Sequence, residues 1–164
     1  AAVLVIFYPD SNGKLNFLLT HRASYKGTHS AQISFPGGKL DLKDKSLKNT
    51  ALREANEEVG IITNDVSIFK QMTDVYIPPS NFIVTPFLSY LEYTPQFIKN
   101  YEVEVLIEVT ISDFLNDNAV TSATLSTSYA NEIEVPCFIL NNYIVWGATA
   151  MMLSEIKELI NKIK

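Results

Sequence analysis

Apolar runs and polar breaks alternate along the chain, and the period of the runs changes part-way. Residues 2–8 and 15–20 are apolar and rich in β-forming types, with Asp10, Asn12 and Gly13 between them, which predicts a two-stranded hairpin. A polar stretch from His21 to Gln32 leads into Ile33 and Phe35. It ends at Pro36-Gly37-Gly38, where regular structure is expected to break. Over residues 46–59 the period becomes helical. Leu47, Ala51, Leu52, Ala55 and Val59 fall on one face, and Gly60 stands where a C-terminal cap belongs. Residues 66–76 and 82–91 predict strands around the turn Ile77-Pro78-Pro79-Ser80-Asn81, and residues 102–109 predict another. Asn141-Asn142 marks a tight turn. Met152, Ile156, Leu159, Ile160 and Ile163 give residues 148–164 a closing amphipathic helix. Strands outnumber helices and βαβ alternation is absent, so the expected class is mixed α+β, a layered domain with at least one long helix packed on sheet.

Composition narrows this picture. The chain has 164 residues, 47% of them hydrophobic, a length that fits one domain over residues 1–164 with a proper core. Residues 1–8 are too few to span a bilayer and lack the basic lead of a signal peptide, so a soluble protein is expected. The single cysteine, Cys137, has no partner for a disulfide or a thiolate metal site. Its apolar surroundings predict a buried structural thiol, and a reducing, cytoplasmic setting fits. A net charge of −5 with scattered Lys and Arg argues against a nucleic-acid groove. An acidic protein can still act on a phosphorylated small molecule if a divalent cation bridges its carboxylates to the phosphates.

That condition directs attention to Arg53-Glu54-Ala55-Asn56-Glu57-Glu58-Val59-Gly60. Glu54, Glu57 and Glu58 stand at i, i+3 and i+4 and share one helical face. They repel one another, and the C-terminal end of the helix dipole disfavours them further. Mg²⁺ would compensate, because it takes carboxylate oxygens and keeps positions open for water and phosphate. The competing reading is a solvated face with an Arg53–Glu57 pair worth a few tenths of a kcal/mol. The Gly37-Gly38 break and a loop carrying Asp41 and Asp44 return the chain into this helix, which ties loop, acids and cap into one unit.

Gly38, Asp44, Arg53-Glu54, Glu57-Glu58 and Gly60-Ile61 resemble the Nudix box, with Asp44 where the family usually has Glu and one extra residue before Arg53. Both departures recur in the coenzyme A pyrophosphatase branch. Phe35-Pro36-Gly37-Gly38, Thr50-Ala51-Leu52-Arg53-Glu54-Ala55, Leu18-Leu19-Thr20-His21-Arg22-Ala23 and Gln32-Ile33-Ser34 are similar to that branch, as are Val84-Thr85-Pro86-Phe87 and Trp146-Gly147-Ala148-Thr149-Ala150. An arginine expected in the upstream signature falls on Gly27, beside Lys26, and an expected glycine falls on Ala31.

The resemblance implies an α/β/α sandwich and attack of water on a diphosphate linked to another group. The substrate it implies is coenzyme A or acyl-coenzyme A, cleaved to phosphopantetheine and adenosine 3′,5′-bisphosphate. Alternatives are another nucleoside diphosphate derivative, or a catalytically silent module that only binds a nucleotide. Glu54, Glu57 and Glu58 would hold Mg²⁺, or Mn²⁺ in its place, with Gly38 offering a backbone carbonyl. Arg53 would orient a helix glutamate, and Glu102 or Glu104 would add a remote carboxylate. Arg22 and Lys26 are the candidate phosphate contacts. His21 and His29 lack metal-ligand spacing, and Trp146, Tyr76, Phe82 and Phe87 are expected to pack in the core. The expected partner is a small-molecule diphosphate, with no nucleic acid and no membrane; a homodimer stays open.

Overall fold

The computed structural model describes residues 1–23, 32–126 and 132–164. In chain order the strands and helices are β1 (Ala2–Pro9), β2 (Leu15–Arg22), β3 (Ile33–Ser34), β4 (Gly37–Gly38), α1 (Leu47–Val59), β5 (Ser67–Gln71), β6 (Val75–Ile77) and β7 (Phe82–Tyr90). There follow β8 (Val103–Thr110), α2 (Ile111–Leu115), β9 (Val120–Leu125), β10 (Ile133–Leu140), β11 (Tyr143–Trp146) and α3 (Gly147–Lys162).

β1 is the centre of the larger sheet because both of its faces are apolar. Leu4, Ile6 and Tyr8 point to one side, where Ala51, Ala55 and Val59 of α1 complete a core. Val5 and Phe7 point to the other, where Leu153 and Ile156 of α3 and Phe138 and Leu140 of β10 close a second core. Phe17, Phe114 and Phe138 stack through this second core, with ring centroids 5.2 and 5.6 Å apart. The result is a helix–sheet–helix sandwich.

The expected hairpin is present: β1 and β2 pair antiparallel with Phe7 opposite Phe17. Further along they diverge, and the segment 33–38 wedges between them, β3 pairing with β2 and β4 with β1. Gly37-Gly38 therefore interrupts the hydrophobic pattern but joins the sheet. A Cβ on Gly37 would collide with the Ala2 carbonyl oxygen and Val3 Cα, so only glycine lets the chain pass there. β7 runs parallel to β1, which makes the sheet mixed.

Residues 66–76 form two strands rather than one. At the break Met72 is buried and its N–H bonds to the Pro86 carbonyl, Glu155 accepts from Thr73, and Thr85 donates to Asp74. Tyr76 is also not a core residue: it is exposed and its hydroxyl donates to Asn81. Phe87 and Cys137 are buried as expected. Asn141 and Asn142 both have positive φ, 51° and 67°, and turn β10 into β11. No helix among the described residues is long and apolar enough to cross a membrane.

Candidate active site

α1 is fixed at both ends. The Ser46 hydroxyl accepts from the Asn49 N–H at its start. Gly60 takes the left-handed conformation, φ 73°, that ends the helix and sends its N–H to the Asn56 carbonyl. Two further carbonyls in the last turn receive donors from a distant segment: Ile98 N–H reaches Val59 at 2.9 Å and Asn100 N–H reaches Glu58 at 3.0 Å. These bonds satisfy groups that a helix terminus otherwise leaves to water.

The loop before α1 is built around Asp44. Its carboxylate accepts from the Asp41 N–H and the Thr50 hydroxyl, and takes both Nε and Nη2 of Arg53 at 2.9 Å. Arg53 also donates to the Lys39 carbonyl, to Glu54 at 3.0 Å and to Glu57 at 3.3 Å. Hydrogen bonding from Arg53, the largest influence, holds the Asp44 carboxyl well below the usual carboxylate range. Arg53 is thus a hub that locks the loop to the helix and steers two of its glutamates.

Glu58 is the unusual group. It is only 2% exposed, and burial pushes its carboxyl up to about 8, with Arg22 opposing, Glu54 and Glu102 adding repulsion, and the Gly37 N–H donating to it. Glu54 is raised for the same first reason, desolvation, against the pull of Arg53. Gly38 lies directly on Glu54: a Cβ there would stand 2.5 Å from Cδ of the Glu54 carboxylate. Glu102, at the start of β8, is electrostatically coupled to both Glu54 and Glu58, and its carboxylate lies 4.0 Å from Arg22 Nη2.

The structure therefore gathers Glu54, Glu58, Glu102, Arg22 and the Gly37-Gly38 backbone at one edge of α1. Glu57 is turned toward Arg53 and is half exposed. Glu104 pairs instead with His21, at 3.9 Å. Lys26, and with it Gly27, His29 and Ala31, lies outside the described residues. The part played by Asp44 beneath Arg53 was hidden in the sequence, since the two are separated by nine positions and only the folded loop joins them.

The donor chemistry fits a hard divalent cation. Glu54 and Glu58 are carboxylates held largely out of water on one helix face, and glycine at position 38 lets the backbone lie directly against Glu54. Among the described residues no three ligand side chains already converge into a closed metal cage. An incomplete set of protein ligands suits an ion that retains waters and accepts substrate oxygens. A shallow cavity of about 400 Å³ lies elsewhere on α1, lined by Lys43, Lys45, Asn49, Arg53 and Asn64 rather than by these acids.

The model of the NUDIX domain family matches residues 1–124, well over half of the chain. The chain belongs to the Nudix family. The peroxisomal coenzyme A diphosphatase ndx-8 of Caenorhabditis elegans is 30% identical over 93% of this chain, which spans 64% of that relative's length. The uncharacterized Nudix hydrolase NudL of Photorhabdus laumondii is 31% identical over 88% of this chain and 77% of its own. Among solved structures, the Nudix hydrolase RenU of M. smegmatis superposes with a TM-score of 0.66 over 99% of this chain and 86% of that one, at 15% identity. Nudix enzymes are diphosphate hydrolases that act on small molecules and generally use a divalent metal.

Proposed function

We propose that this Nudix domain, spanning residues 1–164, hydrolyses the diphosphate of coenzyme A or acyl-coenzyme A, giving phosphopantetheine and adenosine 3′,5′-bisphosphate, with Mg²⁺ as its cation and Mn²⁺ as a substitute. The observation that carries the reaction type is Glu58, a carboxylate buried on the same helix face as Glu54, with Arg22 and Glu102 brought alongside. The substrate is supported by the branch motifs at 18–23, 32–38 and 50–55 and by the likeness to a coenzyme A diphosphatase.

Glu54 and Glu58, with the Gly38 carbonyl, would hold the cation, and Glu57 would add an outer carboxylate. A divalent ion bound there lowers the pKa of water and offsets the diphosphate's charge. Arg53 keeps Glu54 and Glu57 in place and carries no substrate contact. Arg22 stands beside Glu58 and Glu102, where its guanidinium can meet a phosphate oxygen. Lys26 would supply a second cation. Glu102 supplies a carboxylate from outside the helix.

Gly27 and Ala31 depart from the branch signature and favour a second reading, a Nudix hydrolase of another nucleoside diphosphate derivative. A panel of coenzyme A, acyl-coenzyme A, nucleotide sugars and dinucleotides at matched concentrations separates the two. The highest kcat/KM on coenzyme A or its acyl esters is expected. A preference for nucleotide sugars would reject the coenzyme A assignment.

A further inference from the structure

The segment 98–102 reaches the site from outside the box, and Asn100 makes three of its hydrogen bonds. Ile98 and Asn100 donate their N–H groups to the carbonyls of Val59 and Glu58, at the C-terminal end of α1. Gly60 leaves room for this contact, since a Cβ there would meet Ile98 Cβ and carbonyl oxygen at 3.2 Å. The side chain of Asn100 then turns the other way: its Oδ1 accepts from the Glu102 N–H at 2.9 Å. The Glu102 carbonyl accepts from Ala23 N–H, also at 2.9 Å, and the Val103 N–H returns to the Asn100 carbonyl as β8 begins. Glu102 is therefore gripped through its backbone on both sides, once by Ala23, just past the end of β2, and once by Asn100.

This arrangement makes Asn100 the direct link between two acids that belong to different elements. Its backbone binds the peptide of Glu58, and its side chain binds the peptide of Glu102. Both carboxylates belong to the same electrostatically coupled group with Glu54. Donors placed on the last carbonyls of α1 also reduce the negative potential that the helix end directs at these acids.

We infer that Asn100 is a positioning residue that sets the distance between Glu58 and Glu102, and through it the readiness of these acids to take a divalent cation. The inference rests on the cation reading of Glu54, Glu58 and Glu102. Groups that orient metal ligands typically change metal affinity by about 10–100-fold when removed. Asn100 contributes through a side-chain oxygen, which aspartate keeps while adding a negative charge, whereas alanine lacks the acceptor and glutamine carries it one methylene too far.

The test is titration of the metal-free protein with Mn²⁺, followed by electron paramagnetic resonance without substrate, alongside thermal unfolding. Asn100→Ala is expected to weaken Mn²⁺ binding by about 10-fold, and Asn100→Asp to restore it to within about threefold of the parent. Asn100→Gln repeats the loss in case the alanine variant does not fold. Unchanged Mn²⁺ affinity in a folded alanine or glutamine variant would overturn the inference, as would an equal loss in Asn100→Asp. Absence of Mn²⁺ binding by the parent protein would reject the cation reading itself, and this inference with it.

Discussion

α1 and α3 are both amphipathic helices packed on the same sheet, 13 and 16 residues long, yet they are secured by different means. α3 has no side-chain cap at its start and relies on bulk, with Met152, Leu153 and Ile156 buried in the core around Phe138. The apolar side chains that α1 buries are only Ala51, Ala55 and Val59, and beside them it buries Thr50 and Glu58. Its own burial stabilises it little, so it is held by Ser46, by Gly60, by the Asp44–Arg53 clamp and by the N–H groups of Ile98 and Asn100. The difference separates two tasks: α3 supplies stability, while α1 spends some of it to keep a carboxylate out of water.

Substitutions that affect only one helix sharpen this contrast. Glu58→Gln should lower kcat by more than about 100-fold, beyond the range of groups that only orient a ligand. Its thermal midpoint without metal should be equal or higher at pH 8, because a buried charge is gone; unfolding and activity assays on one preparation check both. Leu153→Ala in α3 should do the reverse, costing about 2–5 kcal/mol in denaturant unfolding while the folded fraction keeps its kcat. Gly38→Ala falls between them. The added Cβ meets only the movable end of Glu54, so stability should change little while Mn²⁺ affinity drops by about 10-fold or more. Gly37→Ala meets backbone and should destabilise instead.

A further contrast lies in pH dependence. Glu58 has an ordinary value of 4.5 and is raised to about 8 by burial. Between those values the native protein keeps a proton that the unfolded chain has lost, so stability falls as pH rises through that window. Asp44 is lowered, and its contribution is lost only in acid, below this range. The metal-free midpoint should therefore decline between about pH 5 and pH 8, and Mg²⁺ should raise it more at pH 8 than at pH 6. A flat profile that Glu58→Gln leaves unaltered would break the contrast between the helices.

Much of this was legible in the sequence because period and cap agree. The 3.6-residue spacing of Leu47, Ala51, Ala55 and Val59, closed by Gly60, fixed α1 within a residue. β9 was not legible: Val-Thr-Ser-Ala-Thr-Leu is largely exposed, has no apolar alternation, and is a strand because β10 pairs with it. The division of residues 66–76 is masked for the opposite reason, since Met72 continues the apolar pattern through the break. At the site, the shared helical face placed Glu54, Glu57 and Glu58 together, but spacing alone could not separate the buried Glu58 from the half-exposed Glu57. That difference arises from the rest of the chain, which buries Glu58 and brings the Gly37 N–H and the charges of Arg22 and Glu102 to it.

The central claim, that the acidic edge of α1 drives diphosphate hydrolysis, is tested most directly by incubating the protein and its Glu58→Gln variant with coenzyme A and Mg²⁺, with and without EDTA. Products are identified by mass spectrometry. The account predicts phosphopantetheine and adenosine 3′,5′-bisphosphate from the parent protein with Mg²⁺ alone, and neither from the variant or in EDTA. Equal turnover by parent and variant, or turnover indifferent to EDTA, would contradict it.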